Sequence, residues 1–249
     1  MRPHFARALV VGASSGIGAA IAVALGREGA AVALLARREG DLTAVADAVR
    51  AAGGQAFCHP HDVTDYSAVP DLLERIAAEL GGIDLAVYAA GVLPEVVEGE
   101  YDFTKDRQMI EVNLLGAMAW FDPIAARFEA QRAGTLLGIS SIAGERGRRS
   151  FPGYATSKAA LTTYLEALRN RVSRYGVNVV TVKPGFVDTA MTRGKKGLFW
   201  LISSERAADL SLALARRGTS ASGFVPARWG LVALVVRALP SFLFRRLNL

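Results

Sequence analysis

The sequence has few residues that could cross-link the chain or bind a metal. It contains one cysteine, Cys58, and three histidines among 249 residues. It therefore cannot form an internal disulfide, and it shows no recognised metal-ligand spacing. Its most apolar segment, residues 229–247, is interrupted by Arg237 and Pro240. These absences argue against a disulfide-rich secreted protein and a metalloprotein, and we expect a reducing, cytoplasmic environment.

Targeting and nucleic-acid signatures are missing as well. Residues 1–16 lead directly into an apolar strand and a glycine-rich loop, and they lack the apolar core of about 7–15 residues of a secretory signal, so we expect no export. The net charge of +6 is spread along the chain, without the basic runs or aromatic motifs of nucleic-acid-binding proteins. The charge instead favours a phosphorylated ligand or an acidic membrane surface.

Apolar segments alternate with helical segments through most of the chain. Hydrophobic residues make up 51% of it and charged residues 21%, which is typical of globular proteins with a large core. The predicted strands are Ala8–Gly12, Ala31–Ala36, Gln55–His59, Ile83–Ala90, Thr135–Ser140 and Val177–Lys183. The predicted helices are Gly16–Arg27, Glu39–Ala52, Ala68–Leu80, Asp106–Gln131 and Tyr154–Arg174. This alternation predicts one α/β domain over residues 1–228, a Rossmann-type doubly wound parallel sheet with helices on both faces.

A glycine-rich turn joins the first predicted strand to the first predicted helix. It reads Gly12-Ala13-Ser14-Ser15-Gly16-Ile17-Gly18. Three glycines permit a tight turn, close approach of a pyrophosphate and close helix–strand packing. The spacing is G-x-x-x-G-x-G rather than the usual G-x-G-x-x-G. Its position between a strand and a helix favours a dinucleotide-binding loop over a purely structural turn.

This loop resembles that of the short-chain dehydrogenases/reductases, and other landmarks of that family follow over most of the chain. The resemblance implies that Asp62 and Val63 contact the adenine, although Asp62 could equally cap a turn or a helix. It also implies that Ala90 and Gly91 line the cofactor site. The family usually has Asn-Asn-Ala-Gly where this chain has Tyr88-Ala89-Ala90-Gly91. Hydrogen bonds from the missing asparagines must then be made by other groups.

Tyr154 and Lys158 lie four residues apart on a predicted helix. Residues at this spacing share a helix face, about 5–6 Å apart at Cβ. An ammonium near a phenol stabilises the phenolate and lowers its pKa from ~10 toward the range useful for acid–base chemistry. Such a pair alone is often only a surface pair. The resemblance implies that Tyr154 is the general acid of ketone reduction and that Lys158 also binds the nicotinamide ribose.

Three other segments match the same family. The resemblance implies that Ser141, thirteen residues before Tyr154, holds the substrate carbonyl; a capping serine is the alternative. It implies that Asn113 interrupts a helix and seats a water beside Lys158, where a tolerated helical asparagine is the alternative. It also implies a nicotinamide-side loop, which could otherwise be an ordinary turn. The residues of that loop are Pro184, Gly185, Val187 and Thr189.

The residues after the second predicted strand indicate which nucleotide is bound. NAD enzymes commonly have an acidic residue there that binds the ribose 2′-hydroxyl, whereas an arginine accommodates the 2′-phosphate of NADP. This strand ends in Arg37 and Arg38, with no carboxylate. We predict NADP as the cofactor, with Arg37 as its phosphate clamp and Arg38 as an auxiliary. A solvated basic pair is the alternative.

Basic residues surround the predicted substrate entrance. Arg146, Arg148 and Arg149 follow the active-site strand, and Lys195 and Lys196 lie in the predicted lid. They favour an anionic substrate, although surface arginines are often only solvating. The segment from Ser140 onward contains Gly-Glu-Arg-x-Arg-Arg-Ser and ends in Leu-Pro-Ser-Phe-Leu-Phe-Arg-Arg-Leu. It resembles decaprenylphosphoryl-2-keto-ribose reductases, which implies a lipid-linked, phosphorylated keto-sugar as substrate.

Residues 229–249 form a separate apolar and basic segment. We predict that it is a membrane-interface helix at the inner face of the membrane, a lid or an oligomer contact. The matches together predict an NADP-dependent oxidoreductase acting on CH–OH groups of a small molecule, without a metal, as a dimer or tetramer. A catalytically silent NADP-binding regulator is the main alternative. An epimerase or dehydratase would need a larger sugar-nucleotide region than this C-terminal part provides.

Overall fold

A computed structural model describes residues 5–97, 99–195 and 197–246. Its centre is a seven-stranded sheet of order β3-β2-β1-β4-β5-β6-β7 in which every pairing is parallel. The strands are β1 Arg7–Val11, β2 Ala31–Ala36, β3 Gln55–Pro60, β4 Leu85–Tyr88, β5 Thr135–Ile139, β6 Asn178–Pro184 and β7 Ala221–Val225. The order reverses between β1 and β4, where ligands of doubly wound sheets bind.

Nine α-helices are found among the described residues. They are α1 Gly16–Gly26, α2 Glu39–Ala51, α3 Val69–Leu80, α4 Phe103–Ile110, α5 Gly116–Gln131, α6 Pro152–Val172, α7 Ser204–Ala215, α8 Trp229–Ala238 and α9 Ser241–Phe244. The side chains of β1 alternate between two cores. Val10 packs with α1, α2 and α7, and Leu9 packs with α3, α5 and α6. Helices therefore cover both faces, and the predicted fold class is confirmed.

Two parts of the predicted element pattern differ from the structure. The helix predicted over Asp106–Gln131 begins at Phe103, where the Asp102 side chain accepts a hydrogen bond of 2.8 Å from the Thr104 amide. A π-helical turn over Glu111–Leu115 separates α4 from α5. The elements α7 and β7 were not predicted. The edge strand β7 contains Ser222 and Gly223, so it lacks the dense apolar pattern that marked the inner strands.

The C-terminal helices pack on the loop that follows β5. On α8, Trp229 and Ala233 are buried in a small core with Ile142. Arg146 donates from its guanidinium to the carbonyl of Val236 at 2.7 Å and to that of Leu239. These bonds satisfy carbonyl groups at the end of α8 that have no partner within the helix. Within the described ranges, no helix is long and apolar enough to cross a membrane.

Candidate active site

The glycine-rich loop lies at the carboxyl end of β1 and fits tightly against the end of β4. Gly12 has a φ of +88°, and a Cβ on it would lie 2.3 Å from the Ala90 amide nitrogen. A Cβ on Gly18 would lie 2.2 Å from the Gly12 carbonyl oxygen. Glycine is therefore required at both positions, because the backbones approach too closely for any side chain. This contact places Ala90 beside the loop.

The first turn of α1 has the features of a dinucleotide phosphate site. Ser15 is the N-cap residue of this 11-residue helix, yet its side chain accepts no capping hydrogen bond. Backbone N–H groups of a first helical turn have no partner within the helix and bind anions. A Cβ on Gly16 would lie 3.1 Å from Cγ2 of Thr189, so the predicted nicotinamide-side loop closes over this turn. The residues present fit a bound dinucleotide.

The two arginines after β2 point to different partners. The Arg38 guanidinium lies 3.2 Å from the Ser14 hydroxyl and 2.5 Å from Asp41. Arg37 instead lies 3.6 Å from the Asp62 carboxylate. Burial opposes ionisation of Asp62, but hydrogen bonds from Thr64 and the Arg37 charge outweigh it and lower the pKa of this carboxyl. Arg38 is thus the arginine that extends across the glycine-rich loop.

Tyr154 and Lys158 lie in the first two turns of α6, as the sequence predicted. The Lys158 ammonium is 5.8 Å from the centre of the Tyr154 ring. Its Nζ donates a hydrogen bond of 2.9 Å to the Ile139 carbonyl at the end of β5. Ser141 follows that strand, and its side chain accepts a hydrogen bond from the Ala143 amide at 3.0 Å. Serine, tyrosine and lysine therefore meet where β5 ends.

The pKa values of these groups are shifted by burial. Burial lowers the pKa of the Lys158 ammonium to about 8. Burial raises the pKa of the Tyr154 phenol, while its hydrogen bond with Ser141 and the positive charge of Arg148 oppose the rise. Arg148 is thus a cation close to Tyr154 that sequence reasoning had placed only at the entrance. Such shifts are common where side chains transfer protons.

Asn113 lies in the π-helical turn and is fully buried. Its amide pairs twice with Val92, accepting from the Val92 amide at 2.7 Å and donating to the Val92 carbonyl at 3.1 Å. It also donates to the Ser157 hydroxyl at 3.0 Å. A Cβ on Gly91 would lie 3.4 Å from both the Asn113 amide oxygen and Lys158 Nζ. Asn113 therefore ties the loop after β4 to α6 beside the lysine.

Tyr88 occupies the position where the resembled family usually has asparagine. Its buried hydroxyl donates a hydrogen bond of 2.6 Å to the Val112 carbonyl in the π-helical turn. A Cβ on Gly116 would lie 2.4 Å from this hydroxyl, so the glycine leaves the space that the tyrosine fills. Tyr88 thus supports the backbone next to Asn113 by a different hydrogen bond from the one an asparagine would make.

The three entrance arginines have different surroundings. Arg146 binds the end of α8, and its guanidinium also lies 4.2 Å from the centre of the Phe244 ring. Arg149 is exposed, and Arg148 is half-buried near Tyr154. In the lid, the Lys195 ammonium lies 5.1 Å from the centre of the Phe151 ring. Lys196 lies outside the described residues.

Two features of the site were not found from the sequence. Glu145 and Lys183 form a buried ion pair of 2.9 Å, and Arg237 of α8 binds the second oxygen of the same carboxylate. Trp229 contacts Phe186, with ring centres 5.2 Å apart. A Cβ on Gly185 would overlap the Trp229 indole. The sequence shows the opposite charges of Glu145, Lys183 and Arg237, but no local pattern indicates that residues so far apart in the chain form ion pairs.

The segment predicted to be the nicotinamide-side loop follows β6. Pro184 ends β6, Gly185 packs under Trp229, and Val187 is buried. The Thr189 amide lies 3.0 Å from the Thr192 hydroxyl. Among the described residues, no cluster of three or more histidine, cysteine, aspartate or glutamate side chains could hold a metal ion. The structure brings together the residues that the sequence analysis predicted for nucleotide binding and proton transfer.

Comparisons with known proteins agree with this geometry. Residues 6–197 match the family model described as short chain dehydrogenase. An uncharacterized oxidoreductase of Myxococcus xanthus is 37% identical over 185 residues, 74% of this chain and 73% of that protein. The ketoacyl reductase HetN of Nostoc sp. is 33% identical, over 74% of this chain and 64% of HetN. A short-chain type dehydrogenase/reductase from Mycobacterium marinum superposes with a TM-score of 0.79 at 28% identity, covering 87% of this chain and 92% of that one.

The fold and the site thus define an oxidoreductase built on a single nucleotide-binding sheet. The chain belongs to the short-chain dehydrogenase/reductase family. Members of this family use NAD or NADP, and the residues around the glycine-rich loop fit such a nucleotide.

Proposed function

We propose that this protein is an NADP(H)-dependent reductase of a ketone, or the dehydrogenase of the corresponding secondary alcohol. The observation that carries the proposal is the meeting of Tyr154, Lys158 and Ser141 at the end of β5, with Asn113 fixed beside the lysine. A bound nicotinamide supplies the hydride. The chain supplies the proton and holds the carbonyl.

Each side chain has a role that follows from its position. The Ser141 hydroxyl orients the substrate carbonyl oxygen, and Tyr154 donates a proton to that oxygen in the reduction direction. Lys158 carries a positive charge below about pH 8, which stabilises the phenolate left on Tyr154. We assign Asn113 no contact with the substrate. It positions Lys158 and the loop after β4 through its bonds to Val92 and Ser157.

Arg38 supports the preference for NADP. An arginine at this place can bind the 2′-phosphate in two parallel hydrogen bonds. The Arg38 guanidinium lies beside the Ser14 hydroxyl, 3.2 Å away, so arginine and serine together offer donors to one phosphate. Both arginines have an acidic neighbour, Asp62 for Arg37 and Asp41 for Arg38. We assign the principal clamp to Arg38 because its guanidinium reaches the serines of the glycine-rich loop, and the supporting charge to Arg37, which exchanges the order that the sequence suggested.

Arg148 supports an anionic substrate. It is half-buried near Tyr154, and it forms no ion pair with any residue that the structure describes. A desolvated guanidinium without a carboxylate is costly unless a ligand provides the negative charge. The substrate proposed is therefore a ketone with a phosphate or carboxylate near its carbonyl. A lipid-linked phosphorylated keto-sugar has this chemistry. The assembly into a dimer or tetramer stays a prediction.

A catalytically silent regulator would also bind NADP, and one variant separates the two functions. Tyr154→Phe should retain NADPH binding, measured by fluorescence of the bound nucleotide, and lose turnover by about 10²–10⁴-fold, the usual effect of removing a general acid. Turnover is followed as NADPH oxidation with keto-sugars, lipid ketones and 3-ketoacyl esters. Tyr164→Phe, on the same helix, is the control. NADPH binding without oxidation of any ketone by the wild type would favour the regulator.

A further inference from the structure

The outer face of α8 is apolar although it faces solvent. Leu231, Leu234 and Val235 are 69%, 66% and 59% exposed. Their spacing of i, i+3 and i+4 places them on one side of the helix. Trp229 and Ala233, by contrast, are buried against the protein. One side of the helix therefore packs on the protein, and a second apolar side is left uncovered by the residues that the structure describes.

More exposed apolar side chains adjoin this helix. On α9, Phe242 and Leu243 are 56% and 40% exposed. Trp200 is 42% exposed, and its ring centre lies 5.7 Å from that of Trp229 at the start of α8. We call Trp200, Leu231, Leu234, Val235, Phe242 and Leu243 the C-terminal apolar surface. Contiguous exposed apolar groups of this kind mark interaction sites.

The charges around the C-terminal apolar surface are of one sign. Residues 226–246 include four arginines and no aspartate or glutamate. Arg228 lies over the Trp200 ring, 4.9 Å from its centre. Arg245 and Arg246 are exposed and form no ion pair with any other described residue. Of the four arginines, only Arg237 has a counter-charge among the described residues, Glu145. The partner of this surface should therefore be apolar and negatively charged.

The surface has a fixed orientation relative to the active site. Arg146 binds the end of α8, and Glu145 links Arg237 of α8 to Lys183 of β6. Both residues follow Ser141 within the same loop. A partner held by α8 would therefore sit at a constant position relative to the candidate substrate entrance.

We propose that the C-terminal apolar surface docks on an anionic lipid bilayer as a peripheral, interfacial contact. Its apolar side chains enter the boundary of the acyl chains, and Arg228, Arg245 and Arg246 lie at the depth of the headgroups. A ten-residue α8 is about 15 Å long, half of the hydrocarbon thickness, so docking involves no spanning helix.

A second copy of the chain is a poorer partner for this surface. In a twofold-symmetric contact the same patch occurs on both sides, so Arg245 and Arg246 would meet a second patch that is also basic and has no carboxylate between residues 226 and 246. A bilayer with acidic headgroups provides both the apolar depth and the missing negative charge.

The test is co-sedimentation of the full chain with phosphatidylcholine vesicles, with and without phosphatidylglycerol, at low and high salt. We expect recovery with the acidic vesicles at low salt and less at high salt. The double variant Arg245→Gln, Arg246→Gln should bind about 25-fold more weakly, since each arginine near an anionic surface contributes about fivefold. Its control is Arg206→Gln, Arg217→Gln, which removes the same charge on and just after α7.

The apolar part has its own control. Leu231→Ser with Leu234→Ser should weaken binding at least about tenfold. Tyr101→Ser with Phe103→Ser removes side chains that are 99% and 78% exposed but flanked by Glu100 and Asp102, and it should change nothing. Equal recovery in the supernatant with all vesicles would overturn the proposal. If both arginine double variants lost the same amount of vesicle binding, the proposal would also be overturned. It would be overturned as well if the protein did not bind vesicles but formed a concentration-dependent dimer that the leucine double variant abolished.

This inference adds a location to the proposed reaction and does not depend on it. The vesicle assay has no catalytic readout, and turnover of a water-soluble ketone needs no vesicles. Turnover without vesicle binding would show that the membrane proposal has failed, and vesicle binding without turnover would show that the proposed reaction has failed.

Discussion

The buried charge of the Lys158 ammonium should lower the free energy of unfolding of the protein. The fall of its pKa from the ordinary 10.5 to about 8 corresponds to about 3 kcal/mol against the charged form in the folded state. Replacement by methionine removes this cost but leaves the Ile139 carbonyl without its hydrogen bond of 2.9 Å, a loss of about 1 kcal/mol. Lys158→Met should therefore be about 2 kcal/mol more stable than the wild type at pH 7.

The gain should also depend on pH. Below about pH 8 the lysine is protonated in both the folded and the unfolded chain, and the full cost is present. Between about 8 and 10.5 only the unfolded chain remains protonated, so rising pH favours the folded wild type and the advantage of Lys158→Met disappears.

Denaturant unfolding of both proteins from pH 7 to pH 10.5 measures this difference. Lys105→Met is the control, because its ammonium forms a surface ion pair of 2.6 Å with Glu100 and its loss should destabilise slightly or not at all. The reasoning would be refuted by a Lys158→Met protein less stable than the wild type at pH 7, or by a difference that stays constant to pH 10.5.

Three further predictions concern specificity and packing. Arg38→Ala should lower the ratio of kcat/KM for NADPH to that for NADH by about tenfold or more, since charge-assisted hydrogen bonds contribute about 1.5–3 kcal/mol. Arg37→Ala should lower it by less. Equal effects of the two variants would contradict the assignment of Arg38 as the principal phosphate clamp. Arg148→Met should raise KM by about tenfold for a phosphorylated ketone and leave a neutral ketone unchanged, as steady-state kinetics would show. Glu145→Gln should lower the free energy of unfolding by about 3 kcal/mol, because it leaves the buried Lys183 ammonium unpaired; a thermal midpoint equal to that of the wild type would contradict this.

Most inner elements of the sheet could be predicted from the sequence because their local pattern and their environment agree. The strand Ala31–Ala36 is apolar throughout and is buried on both faces, so pattern and burial give one answer. The strand β7 could not be predicted, since it is an edge strand whose apolar residues are interrupted by Ser222 and Gly223. The interruption at Asn113 was expected only through the family resemblance, because the π-helical turn Glu111–Leu115 contains no proline or glycine to mark it.

In the candidate site, too, some features could be predicted from the sequence and others could not. Tyr154, Lys158, Ser141 and Asn113 could be placed together only through the family resemblance, because they lie on three separate segments of the chain. Side-chain direction could not be predicted. Arg146 and Arg148 lie two residues apart in one loop, yet one binds α8 and the other faces Tyr154. The Arg146 partner lies 90 residues further along the chain, whereas Tyr154 is close to Arg148 in the sequence, so no local rule distinguishes the two arginines.

The attachment of α8 to the catalytic loop also orders events during synthesis. Arg146 binds a carbonyl that is 90 residues further along the chain, and domains are built from the N-terminal end as the ribosome proceeds. The glycine-rich loop and its strands can pack long before α8 exists, whereas the loop after Ser141 keeps an unpaired guanidinium until α8 has been made. The glycine-rich loop is thus in place early in translation, and the loop after Ser141 gains its last contacts only when the last helices have been added.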